Sequence, residues 1–178
     1  MAFCLSLCGC GMKGDAEARG LALREKLLNH GCSFIAEITA DFGDKTYTFS
    51  AGCTADTDGT VKFIVKEPQS IAGIAGTLTK ENGYLTFDDA ALAFPLLAEG
   101  EVSPVSAPWI LMQTLKGGYL SSACMEDSYA RLTIHDSYEN DALQLDIWLD
   151  ENDLPCRADI LWQGRRVLSV VVKDFTIL

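Results

Sequence analysis

The run CSFIAEITADFGDKTYTFSAGCT, residues 32–54, decides the architecture. Cys32, Phe34, Ala36, Ile38 and Ala40 alternate with Ser33, Glu37, Thr39 and Asp41, the two-residue period of a half-buried strand. Phe42-Gly43-Asp44 supplies a turn, after which Tyr47, Phe49, Ala51 and Cys53 alternate with Thr46, Thr48 and Ser50. Two such runs joined so closely make an antiparallel hairpin. The pattern continues outward. Asp56-Thr57-Asp58-Gly59 punctuates the next turn, and Val61, Phe63 and Val65 alternate with Lys62 and Lys66 until Pro68 ends a third strand. Residues 71–76 form a small, apolar connector that needs cover, and residues 78–80 and 84–87 flank Glu81-Asn82-Gly83, a second hairpin signal. Residues 90–97 are apolar and read as strand or short helix, with Pro95 against a long helix.

The last third returns to strands over residues 119–125, 129–135, 142–150, 155–163 and 166–177. In residues 142–150, Leu143, Leu145, Ile147 and Leu149 face one way while Gln144, Asp146 and Asp150 face the other, with Trp148 the exception. Residues 167–172 are apolar at both parities, which predicts a strand that is central or covered on both faces. Two helices interrupt the strands. Residues 15–30 carry Asp15 and Glu17 early, Lys26 and His30 late, and Gly31 as a stop; their apolar stripe is imperfect, with Leu21 and Leu28 on one side and Leu23 and Leu27 on another. Between residues 99 and 118, Ser106 is placed to cap, Pro108 suits a first turn, and Gly117 suits C′. Trp109, Ile110, Leu111, Met112 and Leu115 make that helix apolar nearly all round, so it is expected to be buried. The order gives an α+β fold: a highly curved antiparallel β-sheet, an open or half barrel, with an N-terminal helix and a buried helical insertion in the concave face.

At 178 residues the chain matches one domain on the usual scale of about 100–200 residues. Its 48% hydrophobic and 22% charged content excludes a disordered chain. Fourteen Lys and Arg against 25 Asp and Glu give a net charge of -11, the wrong sign for nucleic acid and for electrostatic attachment to anionic lipid.

Seven cysteines are present, three of them, Cys4, Cys8 and Cys10, in the first ten residues. Residues 2–8 are an uncharged apolar run, too short for the roughly 20 residues that cross a bilayer, and read as the end of a signal peptide. Leu7-Cys8-Gly9-Cys10 resembles the bacterial lipobox, which implies lipid attachment at Cys10 and anchoring that needs no basic patch. The expected organisation is a signal-peptide remnant over residues 1–9, a lipidated cysteine and tether over 10–14, and the folded domain over 15–178. Cys32, Cys53, Cys124 and Cys156 then remain in the body, where an oxidising compartment permits bridges and a reducing one leaves thiols; no spacing among them suggests zinc.

From the N-terminal helix, the Lys66-Glu67-Pro68 end of the third strand followed by Ile71-Ala72-Gly73-Ile74, and the closing run Val167-Leu168-Ser169-Val170-Val171-Val172-Lys173-Asp174-Phe175, the chain resembles the LolA/LolB-like superfamily of lipoprotein carriers, including clostridial germination-type lipoproteins. The resemblance spans residues 15–178 and implies an unclosed barrel with an apolar inner face that shelters acyl chains. It implies no catalytic residues.

Enzyme motifs are absent from the sequence: no nucleophile elbow, no phosphate-binding loop and no zinc-protease motif, and no cofactor motif was found. His30 reads as a helix C-terminal residue and His135 as a solvated strand residue. Asp56-Thr57-Asp58-Gly59 begins like a calcium loop but lacks the distal glutamate, and Asp88-Asp89 and Asp150-Glu151-Asn152-Asp153 read as solvated acidic turns. Candidate ligand-binding residues are therefore apolar: Phe49, Phe63, Trp109, Met112, Leu115 and Trp148, between sheet and buried helix. The same residue types build an ordinary core. The expectation is a non-enzymatic lipoprotein, lipid-anchored on the extracytoplasmic face of the cell membrane, that binds an acyl chain, a lipidated ligand or a partner protein. The alternative is an adaptor or regulatory subunit of a cell-envelope enzyme, its concave face filled by its own helix.

Overall fold

In the computed structural model one 11-stranded antiparallel sheet organises the chain. The structure describes residues 10–80, 82–87, 90–94, 97–98, 101–139 and 142–178, with the backbone alone at 10–13, 90, 91, 93, 94, 97, 98 and 101. The leader expected over residues 1–9, and Glu81, Asp88, Asp89 and Pro95, lie outside the described residues.

The opening run forms β1 (Cys32–Asp41) and β2 (Thr46–Ala55), paired without a slip from Cys32 opposite Ala55 to Asp41 opposite Thr46. There follow β3 (Val61–Glu67), β4 (Ala75–Leu78), β5 (Gly83–Phe87) and β6 (Ala90–Phe94), each paired with its predecessor. β7 (Leu97–Ala98) and β8 (Glu101–Val102) make a small separate ribbon. The last third supplies β9 (Tyr119–Glu126), β10 (Tyr129–His135), β11 (Gln144–Leu149), β12 (Pro155–Trp162) and β13 (Arg165–Ile177). The long closing strand β13 joins the halves by pairing with β1, Ile38 opposite Val170, so the order runs β6-β5-β4-β3-β2-β1-β13-β12-β11-β10-β9. Among the described residues β6 and β9 are the two ends, and the barrel is open.

The central position expected for β13 is found, but only one of its faces is covered. Leu168, Val170 and Val172 are buried while Val171 is exposed, because no described element packs on the outer side of the sheet there. Residues 71–76 divide differently from the expected connector. Ile71 and Ile74 pack on the core, and β4 begins at Ala75 because Gly76 must lie under Phe63; a Cβ on Gly76 would come within 2.4 Å of the Phe63 ring.

Both helices lie on the inner face. α1 (Cys10–Asn29) packs on β9 and β10, burying Ala16, Gly20, Leu23 and Leu27 and leaving Leu21 and Leu28 in solvent. Small residues complete the stripe: a Cβ on Gly20 would lie 2.6 Å from Leu132, so the helix backbone rides directly on β10. α1 starts at Cys10, five residues earlier than composition suggests, and the backbone of the expected tether is helical. α2 (Ala107–Gly117) packs on β2, β3, β10 and α1, as expected for a buried insertion. Its ends differ from expectation. Ser106 does not cap it, because the 3-10 turn Pro104–Ser106 runs straight into the helix and the Ser106 hydroxyl donates to the Ser103 carbonyl. Gly117 is the last helical residue, and Gly118 is extended, with φ -71°. Gly118 is needed for space, since a Cβ there would sit 2.6 Å from both Ile134 and the Thr114 carbonyl.

The outer face holds two carboxylates that alternation alone places in solvent. Asp146 on β11 and Asp159 on β12 face each other across the strands, 6% and 7% exposed. Arg131 donates to Asp146 at 2.7 Å, Arg157 to Asp159 at 2.8 Å, and the Ser169 hydroxyl to Asp159 at 2.7 Å. Trp148 is sandwiched between these guanidiniums, 5.1 Å from Arg131 and 4.4 Å from Arg157, and its Nε1 donates to Glu126 at 2.6 Å. Trp148 therefore corrects the expected site: its cross-strand partners are Arg131 and Arg157, and parity puts it on the outer face with Asp146. The paired cations offset the repulsion of two adjacent carboxylates.

Burial by itself raises the Asp146 carboxyl, but hydrogen bonds from Arg131, Gln144 and Thr133, with the Arg131 charge, outweigh it and hold the group below its usual 3.8. A depressed folded-state value contributes stability in full above the unfolded value of about 3.9, lost as pH falls through the folded value. Asp146→Asn is expected to cost about 1–3 kcal/mol at pH 7 and much less at pH 3. Urea unfolding at the two pH values measures this, and an equal cost at both contradicts the assignment.

Candidate functional site

The inner face is closed at its centre and open at one end. At the centre, α2 lies on β2 and β3, where Phe63, Met112 and Leu115 are almost fully buried and the Cys32 thiol contacts the Met112 sulfur at 3.9 Å. Phe49 is buried at the margin of this packing and Trp109 is half-buried. Five of the six expected ligand residues thus share the inner face, but Phe63, Met112 and Leu115 are buried in the core cluster and leave almost no exposed lining surface.

Polar side chains hold α2 in place, and of these only Lys116, a cation suited to the last turn of a helix, carries a signal in the sequence. Arg24 of α1 donates to the Leu115 carbonyl at 2.7 Å and to the Gly118 carbonyl at 2.8 Å, placing a cation on the α2 C-terminus. Burial lowers the Arg24 pKa, yet a guanidinium stays charged throughout the physiological range. Gln113 donates to the Gly59 carbonyl at 2.9 Å, and Lys116 donates to the Asp56 and Thr57 carbonyls at 2.9 and 3.1 Å. The turn that begins like a calcium loop is thus a latch for the helix. Five residues before Arg24, near the middle of α1, Arg19 donates to Asp153 and to the Asp150 carbonyl, tying the helix to the β11–β12 turn.

Beyond α2 the cover ends. Partners directly opposite each other project to one face, so the registers define a row on the inner side: Cys53, Phe63, Gly76, Leu85 and Leu92. Exposure climbs along it, from 2% at Phe63 through half-buried Leu85 to 63% at Leu92. Phe87, two residues from Leu85 on the same face, is 51% exposed. β5 and β6 therefore form an arm on whose inner face Leu85 is half-buried and Phe87 and Leu92 are exposed among the described residues, whereas Leu78 on β4 is fully buried. Leu85 and Phe87 were visible in the sequence as alternating strand residues; what the sequence did not show is that α2 stops short of them.

Two depressions lie elsewhere. One of about 470 Å³, lined by Glu37, Thr48, Phe49, Ser50, Glu67 and Pro68, opens where β3 leaves β2 and is about equally polar and apolar. Another of about 280 Å³ sits between the β1–β2 and β12–β13 turns, walled by Phe42, Val102, Trp162 and Val167. Among the described residues no group of three or more His, Cys, Asp or Glu is placed to hold a metal. Cys32, Cys53, Cys124 and Cys156 are free thiols; burial pushes Cys32 up to about 11 and Cys53 up to about 12, which keeps both protonated and unreactive. No described helix is long and apolar enough to cross a membrane.

No family model matches the sequence, and no curated protein matches it. Solved structures are similar at low identity. A LolA superfamily protein from Nitrosomonas europaea aligns over 89% of this chain and 93% of its own, at 8% identity and TM-score 0.49. An uncharacterized conserved protein from Thermus thermophilus aligns over 92% and 88%, at 12% identity and TM-score 0.49. The lipoprotein LppX of Mycobacterium tuberculosis aligns over 89% and 95%, at 13% identity and TM-score 0.42. The architecture described above stands on this chain's own strand pairing.

Among the described residues, the buried Trp109 Nε1 atom of the site has no acceptor. An unsatisfied buried donor costs about 1–3 kcal/mol, so Trp109→Phe, which keeps the aromatic ring, is expected to leave thermal stability unchanged or raise it. A clear fall in Tm would show that the indole N–H is bonded in solution.

Proposed function

We propose that this protein is a non-enzymatic, lipid-anchored protein of the extracytoplasmic membrane face that holds an acyl chain on the open arm of its sheet. The observation that carries this reading is the apolar row that emerges from beneath α2 and ends exposed at Leu92. Monomeric proteins seldom leave contiguous apolar surface uncovered without a use, and a methylene buried on such a surface contributes about 0.8 kcal/mol. Chain length then sets affinity, and a headgroup can stay in solvent. Because Arg24, Gln113 and Lys116 fix α2, binding does not require that helix to move. Phe63 forms the inner end of the row, while Phe49, Met112 and Leu115 support it from the core.

The anchor belongs to the same proposal. Diacylation of Cys10 would tether the domain directly through α1, since the helix starts at that residue. Such an anchor overcomes the electrostatic disadvantage of a -11 chain near anionic lipid.

Protein purified without detergent is expected to show a lipid adduct in native mass spectrometry that organic extraction removes. A fluorescent fatty acid should bind Leu92→Lys at least about tenfold more weakly, a penalty of about 1.4 kcal/mol, with the fold intact because Leu92 is exposed. No adduct, together with equal binding by Leu92→Lys, sinks the proposal. Anchoring is tested separately in a bacterial host. Cys10→Ala should abolish globomycin-sensitive processing and membrane retention, and undiminished retention refutes attachment at Cys10.

A further inference from the structure

The end of the sheet opposite the apolar arm is different in chemistry. β9 is the last strand, and among the described residues no strand pairs with its outer edge. Its side chains Tyr119, Leu120, Ser121, Ser122, Ala123, Cys124 and Met125 carry no charge. Native edges are usually blunted by lysine, proline or a bulge. Here only a bulge is present: Thr133 lies opposite Ser122 and Ile134 opposite Leu120, so Ser121 is the extra residue, its hydroxyl donating to the Thr133 carbonyl at 3.1 Å. From Ser122 to Glu126 the ladder is regular, with Glu126 opposite Tyr129. That leaves a short regular edge whose outward backbone groups have no strand partner among the described residues.

The rim of this edge is acidic and aromatic. Glu126 and Asp127 stand at one end, and Asp136 and Glu139 at the other, on either side of Tyr138. Asp15 lies one helical turn before Arg19, whose guanidinium contacts the Met125 sulfur on β9. The one arginine of the β9–β10 hairpin, Arg131, is committed to Asp146 on the outer face. Tyr138 is 84% exposed and packs with its ring tilted on Tyr119, ring centroids 5.0 Å apart, so the pair forms a wall beyond the bulge.

We infer that β9 is a docking edge for an extended, basic segment of another protein, which adds a strand along Ser122–Glu126 and places its cationic ends against the two acidic rims. Backbone pairing supplies the affinity, and the rim charges select the partner and speed its approach. A second copy of this chain is disfavoured as occupant, because two -11 molecules would bring like rims together. This site is independent of the acyl-chain arm, which lies at the other end of the sheet.

The test uses the full chain and a short fluorescein-labelled peptide of alternating threonine and valine with lysine at each end. Anisotropy should report binding that weakens as salt rises, and that falls at least about tenfold for a glutamate-ended peptide and for Ser122→Lys. Ser122→Thr, equally exposed and compatible with a strand, should bind as the parent does and controls for folding. Amide exchange should show new protection confined to residues 122–126. The inference is overturned by equal binding of both peptides, by protection at β6 instead, by no binding at millimolar peptide, or by concentration-dependent dimerisation of the chain through β9.

Discussion

The insertion of α2 against β2 and β3 is the constraint on which the rest of this molecule depends. An open sheet with one apolar face is not stable in water alone. Phe63 from the sheet and Met112 and Leu115 from the helix close the centre of that face, and everything that follows is set by how far this cover reaches. α1 extends it over β9 and β10. Neither helix extends it over β5 and β6, so the same apolar alternation that makes a core at β2 makes a binding surface at Leu85, Phe87 and Leu92.

The helix is held by polar contacts at its C-terminal end more than by its own cap. Arg24 satisfies two carbonyls that α2 would otherwise leave to solvent, and the same arginine joins the two helices. Gln113 and Lys116 reach the β2–β3 turn, whose tight geometry, with Gly59 at φ +91°, brings its carbonyls to the helix. These contacts make α2 a fixed plug. The outer face follows another logic, in which Asp146 and Asp159 are roofed by Arg131, Trp148 and Arg157, and Trp148 also donates to Glu126 at the end of β9.

Much of this was legible in the residues. The β1–β2 hairpin, the burial of α2, the place of β13 and the open curved sheet all follow from period-two alternation and from a helix apolar on every side, because both are local consequences of burial. Trp148 was misplaced because its hydrophobicity outweighed its parity; Gln144 and Asp146 on the same face were the signal. Ser106 and Gly117 fit the usual capping pattern, but a 3-10 turn runs into the N-terminal end, and at the C-terminal end Arg24 and the close approach of Ile134 to Gly118 accompany an extended Gly118. The binding arm was hidden for a deeper reason. A core residue and a cleft residue have the same chemistry, and only the reach of α2, a long-range property, separates Phe63 from Leu92.

Hydrogen exchange measured with and without a long-chain fatty acid tests the fixed helix and open arm together. Ligand should slow exchange across residues 83–94 and leave residues 107–117 as protected as before. Loss of protection in α2 on ligand addition, or no change across residues 83–94, would contradict binding on the arm against a helix that stays in place.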